Sequence, residues 1–339
     1  MRIKTGGIFI VLTVILIGIM LVSLSLGKYP VDISDLVKVF LGKLNADWGP
    51  AEDKLETLNN LVFEIRLPRI LTAVLIGSAL SISGAVYQAM FVNPLVSPSL
   101  LGVLAGSSFG AAFGMIFTKS WIAVQVMSFS FGLAAVGIAI GLAKLNRGNT
   151  MLLLILGGVI SGAFFSSLLS ILKYIADPYE QLPALTQWLM GSLSFADKST
   201  LLTASVPTAA GMFVIMLLSG YINALSMGDD EAKALGVPVE KIRFILILFA
   251  TIISALTVVM AGIIGWVGLV IPHITRMITG PDNKKLLPAC ALIGAAYLTA
   301  VDDVSRLMFN VEIPIGITTS LIGIPFFAIM LKQTNKAWN

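Results

Sequence analysis

Residues 226–243 have the sequence SMGDDEAKALGVPVEKIR and form the one compact, highly charged stretch in the second half of the chain. Four consecutive residues in it are typical of a helix start: Gly228, Asp229, Asp230 and Glu231. Carboxylates are favoured there because the first turn of a helix carries partial positive charge. Gly236 followed by Pro238 is a stop signal. The pattern predicts a helix of about two turns.

A helix of this length is unstable on its own in water, because nucleation costs more than so few hydrogen bonds return. We therefore expect another surface to pack against segment 226–241. The apolar run 242–262 follows directly, so the segment lies at a membrane boundary. An ordinary solvated loop is the alternative interpretation.

The composition of the whole chain belongs to a membrane protein. Of 339 residues, 57% are hydrophobic and 12% are charged, with a mean hydropathy of +0.95. Soluble domains carry about one quarter charged residues. We predict an all-α, polytopic membrane protein with a single transmembrane domain over residues 1–339. The net charge of +4 follows from basic loops on one membrane face, so we expect no nucleic-acid partner.

Ten apolar runs are long enough to cross about 30 Å of hydrocarbon. They lie at 8–26, 68–91, 97–117, 121–143, 151–173, 200–221, 242–262, 264–279, 285–301 and 313–331. The first is expected to be an uncleaved span, and 264–279 is short and contains Pro272. Residues 181–195 suggest an additional re-entrant or interfacial helix. About ten spans put both termini on the same side.

The orientation follows from the basic residues of the short loops, which gather on the side of the termini: Arg2, Lys4, Lys144, Arg147, Lys241, Arg243, Arg276, Lys284, Lys285, Lys332 and Lys336. Short loops rich in Lys and Arg are cytoplasmic. We therefore predict that both termini and segment 226–241 are cytoplasmic. The opposite face collects most of the acids.

Small residues recur every four positions in two spans. One series contains Gly102, Gly106 and Gly110, and the other contains Gly158 and Gly162. Such stripes let helix backbones approach closely in a membrane. Close packing is one interpretation, and lining of a wide, uncharged translocation pathway is the other.

The spans contain almost no charged or reactive side chains. Arg276, in the short run, is the only charged residue near the middle of a span, and no GxxxxGK[ST] phosphate loop occurs. One histidine, His273, and one cysteine, Cys290, cannot make a usual metal-ligand set or a catalytic pair. We expect no catalytic residue, metal or cofactor, so active transport requires energy from another chain. An ion-gradient-driven secondary transporter is the alternative, with an intramembrane enzyme a weaker one.

Five blocks in order along the chain carry a family resemblance. They are RLPR at 66–69, the block 77–102 with Gly77, Gly84, Gln88 and Asn93-Pro94-Leu95, segment 228–237, GWVGLVIPHITR at 265–276, and residues 312–327. This set resembles the FecCD family of ABC importer permeases, which serve ferric siderophores, haem, vitamin B12 and, in some members, molybdate.

The resemblance implies the type II ABC importer permease fold in a bacterial or archaeal cytoplasmic membrane. It implies two permease subunits, for which we expect a homodimer with a heterodimer left open, and two ATPase subunits that bind ATP and Mg²⁺. An extracytoplasmic binding protein would deliver the substrate. A ferric siderophore is the first expectation for the cargo, with haem, vitamin B12 and molybdate as alternatives.

The resemblance also assigns residues. The coupling helix that contacts the ATPase would comprise Gly228, Asp229, Asp230, Glu231, Ala232, Leu235 and Gly236. Asn93 and Leu95 would form a cytoplasmic gate, whereas a plain proline turn is the alternative. Arg66, Arg69 and Arg306 would dock the binding protein, because arginine forks suit carboxylates. Pairing within the chain, with Glu64, Asp302 or Asp303, is the alternative for these arginines.

Overall fold

The computed structural model describes residues 5–42, 52–145, 150–194, 196–308 and 311–334, and all regular structure in them is helical. The helices are α1 (Thr5–Ser25), α2 (Ile33–Gly42), α3 (Glu52–Asn59), α4 (Leu67–Met90), α5 (Val103–Phe117), α6 (Trp121–Leu145), α7 (Thr150–Ile175), α8 (Gln181–Leu189), α9 (Lys198–Leu217), α10 (Ser219–Leu225), α11 (Asp229–Ala234), α12 (Val239–Ala261), α13 (Val267–Thr279), α14 (Asn283–Leu307) and α15 (Ile315–Thr334). A π-helical turn, Asn60–Arg66, joins α3 to α4, and a 3₁₀ turn, Pro98–Leu101, precedes α5.

Each of the ten predicted apolar runs corresponds to one principal helix. Seven helical stretches are long and apolar enough to cross a membrane, and the shorter apolar helices are α5, α13 and the apolar part of α15. The prediction of an all-helical protein with about ten spans is confirmed. Helix α13, with 13 residues, rises only about 20 Å and is shorter than the hydrocarbon layer.

Some predictions fall where the structure gives no description. Of the basic residues used for orientation, Arg2, Lys4, Arg147 and Lys336 lie outside the described residues, and so does the side chain of Lys332. The suggested helix at 181–195 is present as α8, which ends at Leu189. Position 195 lies outside the described residues.

Helix α4 is the central element of the fold. It packs along α14, α12 and α13, and most of its side chains are buried. Two glycines make these crossings possible: a Cβ atom on Gly77 would lie 2.2 Å from the carbonyl oxygen of Gly294, and one on Gly84 would lie 1.8 Å from that of Gly268. Any side chain at these positions would force the helices apart.

The peripheral helices differ from α4 because they expose large aliphatic side chains. On α7, Val159, Ile160 and Phe164 are each more than half exposed, and on α15 Leu321 is 66% exposed. These faces are suited to lipid or to another subunit, since apolar side chains in a spanning helix need an apolar neighbour.

Candidate functional site

Segment 226–241 contains the predicted short helix. Helix α11 has six residues, follows Gly228 with a φ of 118°, and is succeeded by Gly236 with a φ of 78°. Both glycines adopt positive φ, which other residues avoid because of their Cβ atoms. Pro238 then stands immediately before α12. The start and stop signals of the sequence therefore act as predicted.

Three contacts fix α11 to the rest of the chain. Ala232 is fully buried, its N–H donates to the carbonyl of Gly228 at 3.0 Å, and its carbonyl accepts from the N–H of Val237 at 3.0 Å. Arg243, whose side chain is only 5% exposed, forms an ion pair with Asp229. The short helix is thus anchored on α12 through one face.

The opposite face of α11 is open. Asp230, Glu231 and Leu235 are exposed, and Leu235 leaves 64% of its surface uncovered. Leu235 directly follows α11, one helical turn after Glu231, so this side presents an apolar side chain as well as carboxylates. The part of the chain that the structure describes places nothing over it.

The base of this segment is tied to α14. The side-chain nitrogen of Asn223 donates to the carboxylate of Asp282 at 2.8 Å, and its oxygen accepts from the backbone N–H of Asn283 at 2.7 Å. The hydrogen bond from Asn223, followed by one from the N–H of Lys284, holds the pKa of Asp282 below its ordinary value. Asn223, three residues before segment 226–241, is therefore hydrogen-bonded to the start of α14.

The Asn93-Pro94-Leu95 turn directly follows α4. The side-chain oxygen of Asn93 accepts from the N–H of Leu95 at 2.9 Å, and the N–H of Asn93 donates to the carbonyl of Gln88 at 3.1 Å. Leu95 is 52% exposed. The turn thus has the geometry of a side-chain-stabilised proline turn, and the gate function of Asn93 and Leu95 stays a prediction.

A cavity of about 360 Å³ lies between this turn and the base of segment 226–241. We call it the polar cavity, and its polar lining consists of Gln88, Asn93, Ser226, His273, Arg276 and Asn283. Within it, Arg276 Nη2 donates to Gln88 Oε1 at 3.3 Å, and Gln88 Nε2 donates to the carbonyl of Leu269 at 3.2 Å. The sequence marked Arg276 as a charge within a span, a cytoplasmic basic residue and the end of the 265–276 block, but no local pattern relates it to the distant Asn93 turn.

The opposite end of α14 carries a group of paired charges, which we call the arginine cluster. It comprises Ser23, Arg66, Arg69, Asp302, Asp303, Arg306 and Glu312. Helix α14 spans 25 residues, about 37 Å, and separates this cluster from the polar cavity near its first turn. The two regions therefore lie at opposite membrane faces.

Arg69 is the centre of the arginine cluster. Its Nε donates to Asp302 Oδ2 at 3.0 Å, its Nη2 donates to Asp302 Oδ1 at 2.8 Å, and its Nη1 donates to Glu312 Oε2 at 3.2 Å. Ser194 also donates to Glu312 at 2.8 Å. Burial acts to raise the pKa of Glu312, but the hydrogen bonds and charge of Arg69, together with Ser194 and Arg306, hold that pKa below its ordinary value.

The other two arginines are also engaged within the chain. Arg306 pairs with Asp302 at 3.2 Å and with Asp303, and it donates to the Ser23 hydroxyl at 3.0 Å. Arg66 is 3% exposed and donates to the backbone carbonyls of residues 24, 25 and 29.

The internal pairing that the sequence left open is therefore present for Arg69 and Arg306. Arg66 binds carbonyls instead of a carboxylate, and Glu64 pairs with Lys198 at 3.0 Å rather than with an arginine. Docking of a binding protein by Arg66, Arg69 and Arg306 stays a prediction, which must account for these bonds.

The glycine stripes pack helices together. A Cβ atom on Gly106 would lie 2.3 Å from the carbonyl oxygen of Phe131, and one on Gly110 would lie 2.2 Å from that of Met127, both on α6. Gly158 approaches the carbonyl of Leu100 equally closely, while Gly102 and Gly162 face each other. These contacts are those of the packing interpretation, and a role in lining a pathway stays a prediction.

Comparisons with known proteins place the chain in a family. A family model described as the FecCD transport family matches residues 14–333. A molybdate import system permease protein, MolB, of Haemophilus influenzae is 36% identical over 327 residues, which is 96% of this chain and 95% of that protein. A hemin transport system permease protein, HmuU, of Yersinia pestis is 37% identical over 280 residues, covering 80% of this chain and 83% of that protein.

A solved structure gives the same result for the fold. It shows an inward-facing conformation of a transporter provisionally assigned to the metal-chelate type of ABC transporter, with a TM-score of 0.86 and 36% identity. The match covers 97% of this chain and 99% of that one. The chain therefore belongs to the FecCD transport family and is the membrane-spanning permease subunit of an ABC importer.

Proposed function

We propose that this permease carries a metal chelate or a metal oxyanion inward across the cytoplasmic membrane of a bacterium or archaeon. Ferric siderophores, haem, vitamin B12 and molybdate are the cargo classes that its relatives suggest. ATP and Mg²⁺ bind to two partner ATPase subunits, and the permease itself converts their movement into opening and closing of a path. Both termini face the cytoplasm.

The observation that carries this proposal is the construction of segment 226–241. Its helix is anchored by the buried Ala232 and by the Arg243–Asp229 ion pair, while Asp230, Glu231 and Leu235 are exposed. One side of the six-residue helix is therefore held by the chain, and the other side is free to contact a partner. It is suited to receive the motion of an ATPase subunit and pass it through Asn223 to α14.

A second permease subunit completes the path, and we expect it to be a copy of this chain. The exposed aliphatic faces of α7 and α15 support this, because Val159, Ile160 and Leu321 offer an extended apolar surface. A two-fold dimer would cover these faces in both copies, since each copy contributes the same patch. An extracytoplasmic binding protein delivers the cargo to the opposite face.

Docking of that binding protein involves the arginine cluster in this proposal. Arg69 shares Glu312 with Ser194, and Glu312 is the most exposed acid of the cluster, with 29% of its side chain accessible. A carboxylate of the binding protein can replace Glu312 at Arg69, since both offer the same bidentate geometry. Arg306 and the buried Arg66 would contribute by holding the surrounding backbone and charge in place.

The proposal is tested by reconstituting the permease with its ATPase and binding protein in proteoliposomes. We expect uptake of the bound cargo to require ATP on the side of the membrane that carries the ATPase subunits. Uptake should continue when ionophores abolish ion gradients. The matched control uses an ATPase subunit that binds but does not hydrolyse ATP. Uptake that proceeds without the ATPase and collapses with the ionophore would support the secondary transporter instead.

A further inference from the structure

We infer that the polar cavity is a binding site for one anionic oxygen group, such as a tetrahedral oxyanion or the oxygen face of an anionic chelate. It would hold the cargo's anionic group at the exit of the path, so this inference rests on the proposed import function and narrows its cargo to anions. Inorganic phosphate offers the same chemistry from the cytoplasm and is distinguished below.

The first argument is the charge balance at Arg276. Among the residues that the structure describes, Arg276 has no carboxylate within ion-pairing distance, and its one side-chain hydrogen bond, to Gln88, is 3.3 Å long. Partial burial of a guanidinium without a counter-charge costs free energy, because burial removes hydrating water and no anion takes its place. The guanidinium has five N–H donors, and among the described residues only Gln88 accepts from one of them, so the others are available to an oxyanion.

The polar residues around Arg276 in the polar cavity carry no negative charge. Gln88 is oriented by its donation to the Leu269 carbonyl, so its oxygen faces Arg276 and keeps the guanidinium in place. The amide oxygen of Asn93 accepts from Leu95, which leaves its amide nitrogen as a free donor, and His273 has no hydrogen-bond partner among the described residues. A buried acceptor without a partner, Asn283 Oδ1, belongs to the same lining, but the unpaired N–H groups of Arg276 and Asn93 outnumber it.

Asp282 precedes Asn283 of the cavity lining, but its carboxylate does not neutralise Arg276. Asp282 accepts from the side chain of Asn223 and the N–H of Lys284, and it stands beside Lys284 and Lys285. Its charge is thus already compensated. The volume of about 360 Å³ lies within the range of about 300–1,000 Å³ typical of small-ligand pockets.

The location gives such a site a consequence for transport. Asn93 and Pro94 belong to the turn after α4, and Ser226 is the first residue of segment 226–241. An anion bound between them contacts both elements, so its affinity depends on their separation. By linkage, binding then biases the position of the segment that contacts the ATPase.

The test is equilibrium binding to the purified permease–ATPase complex in lipid nanodiscs, with molybdate as the first probe and inorganic phosphate as the second. We expect saturable molybdate binding in the parent and at least about tenfold weaker binding in Arg276→Gln, as expected for loss of a charged hydrogen-bond donor. Arg276→Lys should recover part of the affinity. Lys144→Gln, which removes an exposed cation that does not line the polar cavity, should bind like the parent.

The two probes distinguish the source of the anion. Tighter binding of molybdate than of phosphate assigns the site to cargo, whereas equal binding assigns it to a cytoplasmic oxyanion, and either result supports an anion site at Arg276. Equal affinity in the parent and Arg276→Gln would overturn it. Loss of the ATPase subunit from Arg276→Gln, with no anion binding in the parent, would also overturn it, because Arg276 would then serve a subunit contact. The import function is tested separately, by ATP-driven uptake in the parent. That result does not depend on whether the polar cavity binds an anion.

Discussion

The arginine cluster and the polar cavity use the same residue type in opposite ways at the two ends of α14. In the cluster, Arg69 and Arg306 share three carboxylates, and Arg66 is surrounded by carbonyls. In the cavity, Arg276 has only the amide of Gln88. The difference indicates that one end is closed by its own charges, while the other leaves a positive charge open for a ligand.

Removal of Arg69 is expected to have the largest effect on stability. Arg69→Ala leaves Asp302, whose side chain is 2% exposed, without its main partner, and breaking a buried ion pair in this way costs about 3–5 kcal/mol. Thermal unfolding of the detergent-solubilised permease should show a large fall in Tm.

The matched control for Arg69 is the exposed pair of Lys198 and Glu64, with side chains 58% and 55% accessible. Lys198→Ala should cost at most about 1 kcal/mol, because solvent screens such a pair. Equal losses in the two variants would show that the arginine cluster is not a closed structural unit.

Protonation of Glu312 is expected to have a smaller effect. Its pKa is held below the ordinary value in the folded protein, so its contribution is complete above the unfolded pKa of about 4.3 and is lost as pH falls through the folded pKa. The contribution is about 0.2–1 kcal/mol, because the pair with Arg69 is partly exposed. The parent should therefore lose more Tm than Glu312→Gln between about pH 6 and pH 3.

If the Tm of the parent and that of Glu312→Gln fall equally with pH, ionised Glu312 does not stabilise the arginine cluster. The same variant also addresses docking. If a carboxylate of the binding protein replaces Glu312 at Arg69, Glu312→Gln should dock that protein faster at low salt, and unchanged docking would argue against the exchange.

The smallest effect on stability is expected at Arg276. In buffer without oxyanions, Arg276→Gln should leave the Tm unchanged or raise it slightly, because it removes a charge that has no counter-charge in the described chain. The comparison with Arg69→Ala uses the same assay and residue type. A loss as large as that of Arg69→Ala would mean that Arg276 is a structural residue and that the two ends do not differ.

The sequence predicted those features that depend on local chemistry. Hydropathy located the ten helices, and the Gly228 and Gly236 signals located α11, because spans and helix ends are determined by neighbouring residues. Family resemblance selected Arg66, Arg69 and Arg306 without showing their surroundings.

The tertiary partners could not be predicted in the same way. Arg69 and Asp302 are 233 positions apart, and Arg276 and Gln88 are 188 apart, so only the packing of α4 on α13 and α14 brings them together. Glu64 shows the limit clearly, since the sequence left open its pairing with one of the arginines, and the fold pairs it with Lys198 instead.

The central claim is that an ATPase drives this permease through α11, and Ala232→Pro tests it most directly. Proline at 232 removes the hydrogen bond to the Gly228 carbonyl and introduces a steric clash into a six-residue helix. Lys233→Ala is the control, because Lys233 is 61% exposed and forms only a 3.8 Å pair with Asp230.

The measurement is ATP-driven uptake in proteoliposomes, with Tm and the amount of inserted permease checked for each variant. The account predicts that uptake by Ala232→Pro falls to the background without ATP, while its inserted amount stays near that of the parent and its Tm falls less than that of Arg69→Ala. Lys233→Ala should retain the parental rate. Parental uptake by Ala232→Pro would contradict the claim that α11 receives the drive.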